Sequence, residues 1–112
     1  MLILSYQMKH SEEDEIMKKY IAIGHWSDSK NTTCVAMKCY TIKHFRENLG
    51  GNAFVPYVII SEKKIEILKN LDEFEVFDEV KKMTGNYRKW SEICDYINQC
   101  FDFMEEKIAN AK

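Results

Sequence analysis

YIAIGHW, Tyr20 to Trp26, decides what kind of fold this chain can have. The stretch is short, apolar and β-branched, so it reads as a strand rather than a helix. Strand alternation puts Tyr20, Ala22, Gly24 and Trp26 on one face and Ile21, Ile23 and His25 on the other. The polar run SDSKN after it has turn chemistry. TTCVAMKCY, Thr32 to Tyr40, is a second strand, and the two are expected to form a hairpin.

Further along, Thr41 is placed as the N-cap of a short helix, IKHFRENL, which Gly50-Gly51 is expected to close with a left-handed C-cap. NAFVPYVII, Asn52 to Ile60, is a third strand, and Pro56 inside it calls for a sheet edge or a bulge. SEKKIEILKN admits two readings. Ile65 and Ile67 alternate as in a strand, whereas Ser61 ahead of charged residues and Leu68 suits a short helix; the helix is the expected form. LDEFEVFDEVKKM is a helix with Phe74, Phe77 and Val80 as its stripe, acidic at its start and basic at its end, as the macrodipole favours. Thr84-Gly85-Asn86 breaks it. A last helix starts at about Tyr87 and carries the stripe Trp90, Ile93, Ile97, Cys100, Met104 and Ile108.

The fold class is therefore α+β: a small antiparallel sheet of about three strands in the order β-β-α-β, followed by two or three C-terminal helices. Residues 1–17 stand apart as an N-terminal arm or extended start carrying the acidic run SEEDE, and residues 18–112 are read as one domain. A chain of 112 residues, 46% hydrophobic and 30% charged, can bury a core without metal or disulfides. The net charge of −2 argues against a general binder of duplex nucleic acid. The apolar run Leu2-Ile3-Leu4 is too short for a signal sequence or a membrane span. Cys34 and Cys39, and Cys94 and Cys100, have neither zinc-ribbon nor redox spacing. They read as buried free thiols of a cytoplasmic protein.

No nucleophile elbow, Walker loop, dinucleotide fingerprint or zincin motif occurs. His25 and His44 have no spacing that pairs them, and the carboxylates scatter along solvated helix faces. The expectation is a protein that is not an enzyme and needs no metal or cofactor. Binding is the better prospect, and MTGNYRKW, residues 83–90, is the stretch to weigh. The chain has fourteen lysines but only two arginines, Arg46 and Arg88. Asn86 is placed as a helix N-cap whose neighbouring amides attract anions. Arg88 adds a planar fork of donors, and Tyr87 and Trp90 offer flat faces for a base. Arg46 follows Phe45 in the same aromatic-then-arginine manner. The plainer reading has Trp90 opening the core stripe, Tyr87 packing the turn, and Arg88 paired with Asp78 or Glu92. Gly50-Gly51-Asn52 likewise reads either as a helix terminus or as backbone amides offered to an anion. GHWSDSK, with His25 and Trp26 beside a polar turn, reads as a pocket wall or as the cap of the core. On the last helix Tyr96, Phe101 and Phe103 widen the apolar stripe, which suggests a homodimer or higher oligomer built on the C-terminal helices.

From KKYIAIGHW through GGNAFVPYVII to GNYRKW and YINQC, the chain resembles small proteins of Firmicute phages and mobile elements. Its element order over residues 18 to about 108 is similar to the first class of Thoeris anti-defence proteins. That resemblance implies a non-enzymatic, oligomeric sponge in the host cytoplasm, holding a cyclic ADP-ribose signal without degrading it. It also implies ligand pockets near a dimer interface, with Arg88, Tyr87, Asn86, Arg46 and Phe54 at the phosphates and adenine; Trp90 and Asn52 complete the candidate set. Two other expectations stand beside it. One is an inhibitor of a host defence protein, acting through acids clustered at Glu12 to Glu15 and Asp72 to Glu79. The other is a structural or regulatory protein of a mobile element.

Overall fold

The computed structural model describes residues 16–85 and 88–112. The expected N-terminal arm through residue 15, and the candidates Asn86 and Tyr87, lie outside the described residues. The elements are β1 (Lys18–Trp26), β2 (Thr33–Cys39), α1 (Ile42–Gly51), β3 (Phe54–Ser61), α2 (Glu62–Lys69), α3 (Glu73–Thr84) and α4 (Trp90–Ala109). The expected α+β class and the β-β-α-β order with helices after it are those observed.

The sheet is antiparallel in the order β2-β1-β3, so the hairpin strand β1 is central. Tyr20, Ile21, Ala22 and Ile23 are all buried, because both faces of β1 are covered. On one face Tyr20 and Ala22 join Phe45 and Leu49 of α1 and Phe54 of β3. On the other, Ile21 and Ile23 join Cys34, Val58 and Ile60 and the apolar faces of α2, α3 and α4. The molecule is thus three layers, one helix, a sheet, and three helices, with a separate core on each side of the sheet.

Pro56 satisfies both expectations at once. It lies on the edge strand β3, and the register slips beside it, from Ile23 opposite Val58 to Gly24 opposite Pro56. Tyr57 is the extra residue of this bulge. In consequence Tyr57 and Val58, neighbours in sequence, both pack against the core under α3 and α4.

Three expectations need correction. The helix after Thr41 does not stop with a left-handed glycine. The Thr41 hydroxyl caps its start by accepting from His44 N at 3.1 Å, but α1 runs through both glycines to a C-cap at Asn52, with φ −98°. The left-handed position falls on Ala53, with φ 58°. Ala53 must turn there so that its carbonyl accepts from Ser27 N at 2.9 Å and Phe54 enters the sheet opposite Trp26. An alanine in that conformation is strained by about 1 kcal/mol. Ala53→Gly is accordingly expected to raise stability by about 1 kcal/mol in urea unfolding; a loss would show that the alanine methyl has an offsetting contact.

The second correction concerns α3. Asp72 and Glu75 form a reciprocal capping box that starts the helix, and the residues it buries are Val76 and Val80. Phe77 is half-buried, and Phe74, expected in the stripe, is 84% exposed. The third concerns α4, which begins at Trp90 with Lys89 as its N-cap and no side-chain cap. Its inner face is Ile93, Cys94, Ile97, Met104 and Ile108, and Cys100 leaves helical geometry midway.

The ambiguous SEKKIEILKN is a helix. The Ser61 hydroxyl accepts from Lys64 N at 3.1 Å, and Ile65 and Leu68 are buried at helical spacing while Ile67 faces out.

Candidate functional site

The two arginines lie on different layers. Arg46 is exposed on α1 and Asn52 is exposed at the end of that helix. Phe54 is buried beneath α1 and meets Trp26 edge to face at 5.1 Å. Arg88 and Trp90 belong to the opposite layer, at the turn from α3 into α4. The five described candidates therefore form two groups, with Phe54 and Trp90 packed on opposite faces of the sheet.

At the turn, Trp90 is half-buried and packs edge to face with Phe77 at 4.5 Å, with Lys81 Nζ 5.8 Å from its ring centre. Arg88 is exposed and is in no ion pair among the described residues. Glu92, one of its expected partners, is engaged elsewhere. It accepts from the Thr32 hydroxyl and pairs with Lys89 at 3.1 Å. Those two contacts, Thr32 first, hold the Glu92 carboxyl below the usual carboxylate range. Lys89 Nζ also sits 5.5 Å from the Tyr57 ring centre, and Tyr57 lies 5.7 Å from His25.

The strand exit GHWSDSK and the stretch ending in RKW thus meet at one end of the sheet. His25 Nδ1 lies 2.8 Å from Trp26 O and 2.9 Å from Ser29 O. Both are acceptors, so Nδ1 carries a hydrogen. The cluster ties α4 to the β1–β2 turn. Its aromatic faces are already met by Phe77, Lys81 and Lys89, which leaves them poor platforms for a base.

The thiols are free, with Cys34, Cys39 and Cys94 buried. Burial pushes the Cys34 and Cys94 thiols up, away from thiolate chemistry. Burial and the adjacent Cys34 likewise push up the Tyr96 phenol. Tyr96 and Phe101 pack against the core, which leaves Phe103, 42% exposed, as the outward part of that widened stripe. Among the described residues no three His, Cys, Asp or Glu side chains come together as a metal site. None of the described helices is long and apolar enough to cross a membrane.

The other end of the sheet holds a feature that motif reading missed. Lys18 and Lys19 at the start of β1, Lys38 near the end of β2, and Lys63 in the first turn of α2 line a cavity of about 300 Å³ with Met17, Ser61 and Glu62. Lys19 stands directly opposite Lys38 in the β1–β2 register. Like charges so placed destabilise a sheet. Among the described residues none of the four lysines is in an ion pair, whereas Lys64 is held by Glu79 at 2.7 Å. Ser61 satisfies the Lys64 amide, and the other amides of that first helical turn have no acceptor within the helix. Four lysines thus line the space, with Glu62 the one carboxylate among its described lining residues. The signal for it was Lys19 facing Lys38, which becomes visible only once the hairpin register is drawn.

No protein-family model, no curated protein and no solved structure matches this chain.

Proposed function

We propose that the protein binds a small, multiply phosphorylated molecule without transforming it, and that the lysine cavity at the β1 start, β2 end and α2 N-terminus is where the phosphates sit. The observation that carries this reading is the Lys19–Lys38 pair. A fold that leaves two ammonium groups opposed across a strand pair, with two more beside them, accepts a repulsion that a bound polyanion relieves. Lysines hold phosphate as mobile point charges, and a space of about 300 Å³ suits a ligand of a few rings or phosphates. Non-enzymatic action is supported by the arrangement of the other polar groups. In the Thr32–Glu92–Lys89 cluster the carboxylate is already held by the hydroxyl and the ammonium, and burial pushes the Cys34 and Cys94 thiols up, away from thiolate chemistry.

The narrower form of the proposal is capture of a nucleotide immune signal of the cyclic ADP-ribose kind. It rests on the resemblance to Thoeris anti-defence proteins, and the test includes that ligand class. Thermal unfolding would be followed with pyrophosphate, ATP, ADP-ribose and a cyclic ADP-ribose derivative. A true ligand at a hundred times its Kd is expected to stabilise by about 2.7 kcal/mol and to be recovered intact. Lys19→Glu or Lys38→Glu should abolish that gain. Each should also stabilise the ligand-free protein by about 0.2–1 kcal/mol, because the opposed pair becomes attractive. A flat response across the panel would remove the proposal, and a consumed ligand would remove its non-enzymatic part. Loss of binding in Arg88→Ala but not in the lysine variants would move the site to the α3–α4 turn.

A further inference from the structure

The outer groove between α3 and α4 is a second surface, independent of the lysine cavity. It has a volume of about 400 Å³ and is lined by Glu73, Phe74, Phe77, Cys94, Asp95 and Asn98. Phe74 stands 84% exposed at its edge, in the first turn of α3, where a polar residue would serve the capping box equally well. Leaving it in water forgoes the stabilisation that burying its ring would supply. Single exposed apolar residues are ordinary. This one continues inward to half-buried Phe77 and to a floor at Cys94, whose Sγ accepts from Asn98 Nδ2 at 3.7 Å.

The rim is acidic. Glu73 and Asp95 both line the groove, no cation is among its described lining residues, and neither carboxylate is in an ion pair among the described residues. Glu79, Glu92 and Glu105 each have a lysine. We propose that this groove docks an amphipathic helix of another protein, with large apolar side chains at i and i+3 or i+4 and lysine or arginine on its flanks. Charge complementarity selects the basic flanks: the two carboxylates, in no ion pair among the described residues, border the apolar entrance that Phe74 opens. The helical form follows from the walls. Both are helices whose backbone groups are bonded internally, so an extended peptide would find no strand edge to pair with. A helix brings its own hydrogen bonds. A second copy of this chain docking two-fold on the same groove would set Glu73 and Asp95 against their own counterparts, which charge opposes.

The test uses the full chain and a fluorescently labelled synthetic helix with leucine at i, i+3 and i+7 and lysine flanks, followed by anisotropy. Binding is expected, weakening as salt rises. Phe74→Ser should weaken it about tenfold or more with the thermal midpoint unchanged, since the ring is exposed. Glu73→Lys with Asp95→Lys should weaken it comparably, while binding the same peptide with glutamate flanks. No binding by the wild type overturns the proposal. So does equal binding of the lysine- and glutamate-flanked peptides, or affinity indifferent to Phe74→Ser. Sedimentation showing a dimer that Phe74→Ser dissolves would assign the groove to a second copy and overturn it too.

Discussion

Gly24→Ala is expected to cost about 3 kcal/mol or more of folding stability, the upper end for overpacking. A methyl at this position would lie 2.0 Å from Val55 O, 2.8 Å from Pro56 Cα and 2.9 Å from Val55 C. All three obstacles are backbone, so no rotamer change relieves the clash. The edge strand itself must move. It is held by its register on both sides of the bulge, with Trp26 opposite Phe54 at one end and Ile21 opposite Ile60 at the other. Sliding β3 away would loosen Val58 and Ile60 on one core and Phe54 on the other. Against a total stability of roughly 5–15 kcal/mol for a small domain, that loss leaves little. Urea unfolding of the variant should give a sharply lowered midpoint and a poor soluble yield. Gly50→Ala and Gly51→Ala are the controls. Each added methyl meets nothing within 4 Å, and in a helix each should gain about 0.5–1 kcal/mol. A Gly24→Ala loss under about 1 kcal/mol would mean the bulge is far more pliable than its geometry implies.

The same position marks what the sequence reveals of the fold and what it withholds. Strand alternation assigned Tyr20 and Ala22 correctly to one face and Ile21 and Ile23 to the other, because the period of two is a property of the backbone alone. Pro56 announced an edge or a bulge, since it has no amide to give the ladder. Which residue on β1 would meet that bulge depends on a register set by tertiary contacts. Phe74 failed for a related reason. A stripe of Phe74, Phe77 and Val80 and a stripe of Val76 and Val80 with Phe77 at its margin differ by a small rotation of one helix. The packing of Val76 and Val80 into the core chose the second. Gly50-Gly51 failed because a left-handed residue is placed by where the next strand must begin. That point is Ala53, whose carbonyl is needed at Ser27.

Of the candidate site, less could be read. Arg88 drew attention through its rarity, and rarity is a property of composition, not of position. The lysines of the cavity were invisible for the opposite reason. Lys18, Lys19, Lys38 and Lys63 are four of fourteen, and nothing local separates them from lysines on a solvated face. Their significance is relational. It appears when β1 and β2 are aligned antiparallel, which sets Lys19 against Lys38, and when Ser61 ends β3 by starting α2 beside them. The two ends of the sheet are also kept apart. Lys19 and His25 are roughly 20 Å from one another along β1, so a site at one end says nothing of the other.

Phe45→Ala is expected to cost about 3–5 kcal/mol, and to do so in a way that separates the two cores. Phe45 is fully buried, with its ring centre 5.7 Å from that of Tyr20. Together with Leu49 it supplies the buried side chains by which α1 sits on the sheet. A helix of ten residues does not persist in water by its own propensity. Its survival depends on this contact, and truncating the ring removes much of the contact while leaving a cavity against Tyr20 and Ala22. The core on the far side, from Ile21 and Ile23 to Ile97 and Met104, shares no side chain with it. Amide hydrogen exchange on Phe45→Ala should therefore show protection lost first across α1, with α4 retaining more of its own. Phe45→Leu should recover most of the stability, because it fills the space without the aromatic contact. Phe74→Ala, an equally large truncation at an 84% exposed site, should change stability by no more than about 0.5 kcal/mol. Equal costs for Phe45→Ala and Phe74→Ala would contradict the layer assignment. Uniform loss of protection across α1 and α4 would mean that the two cores, though disjoint in contacts, are coupled through β1, the strand they share.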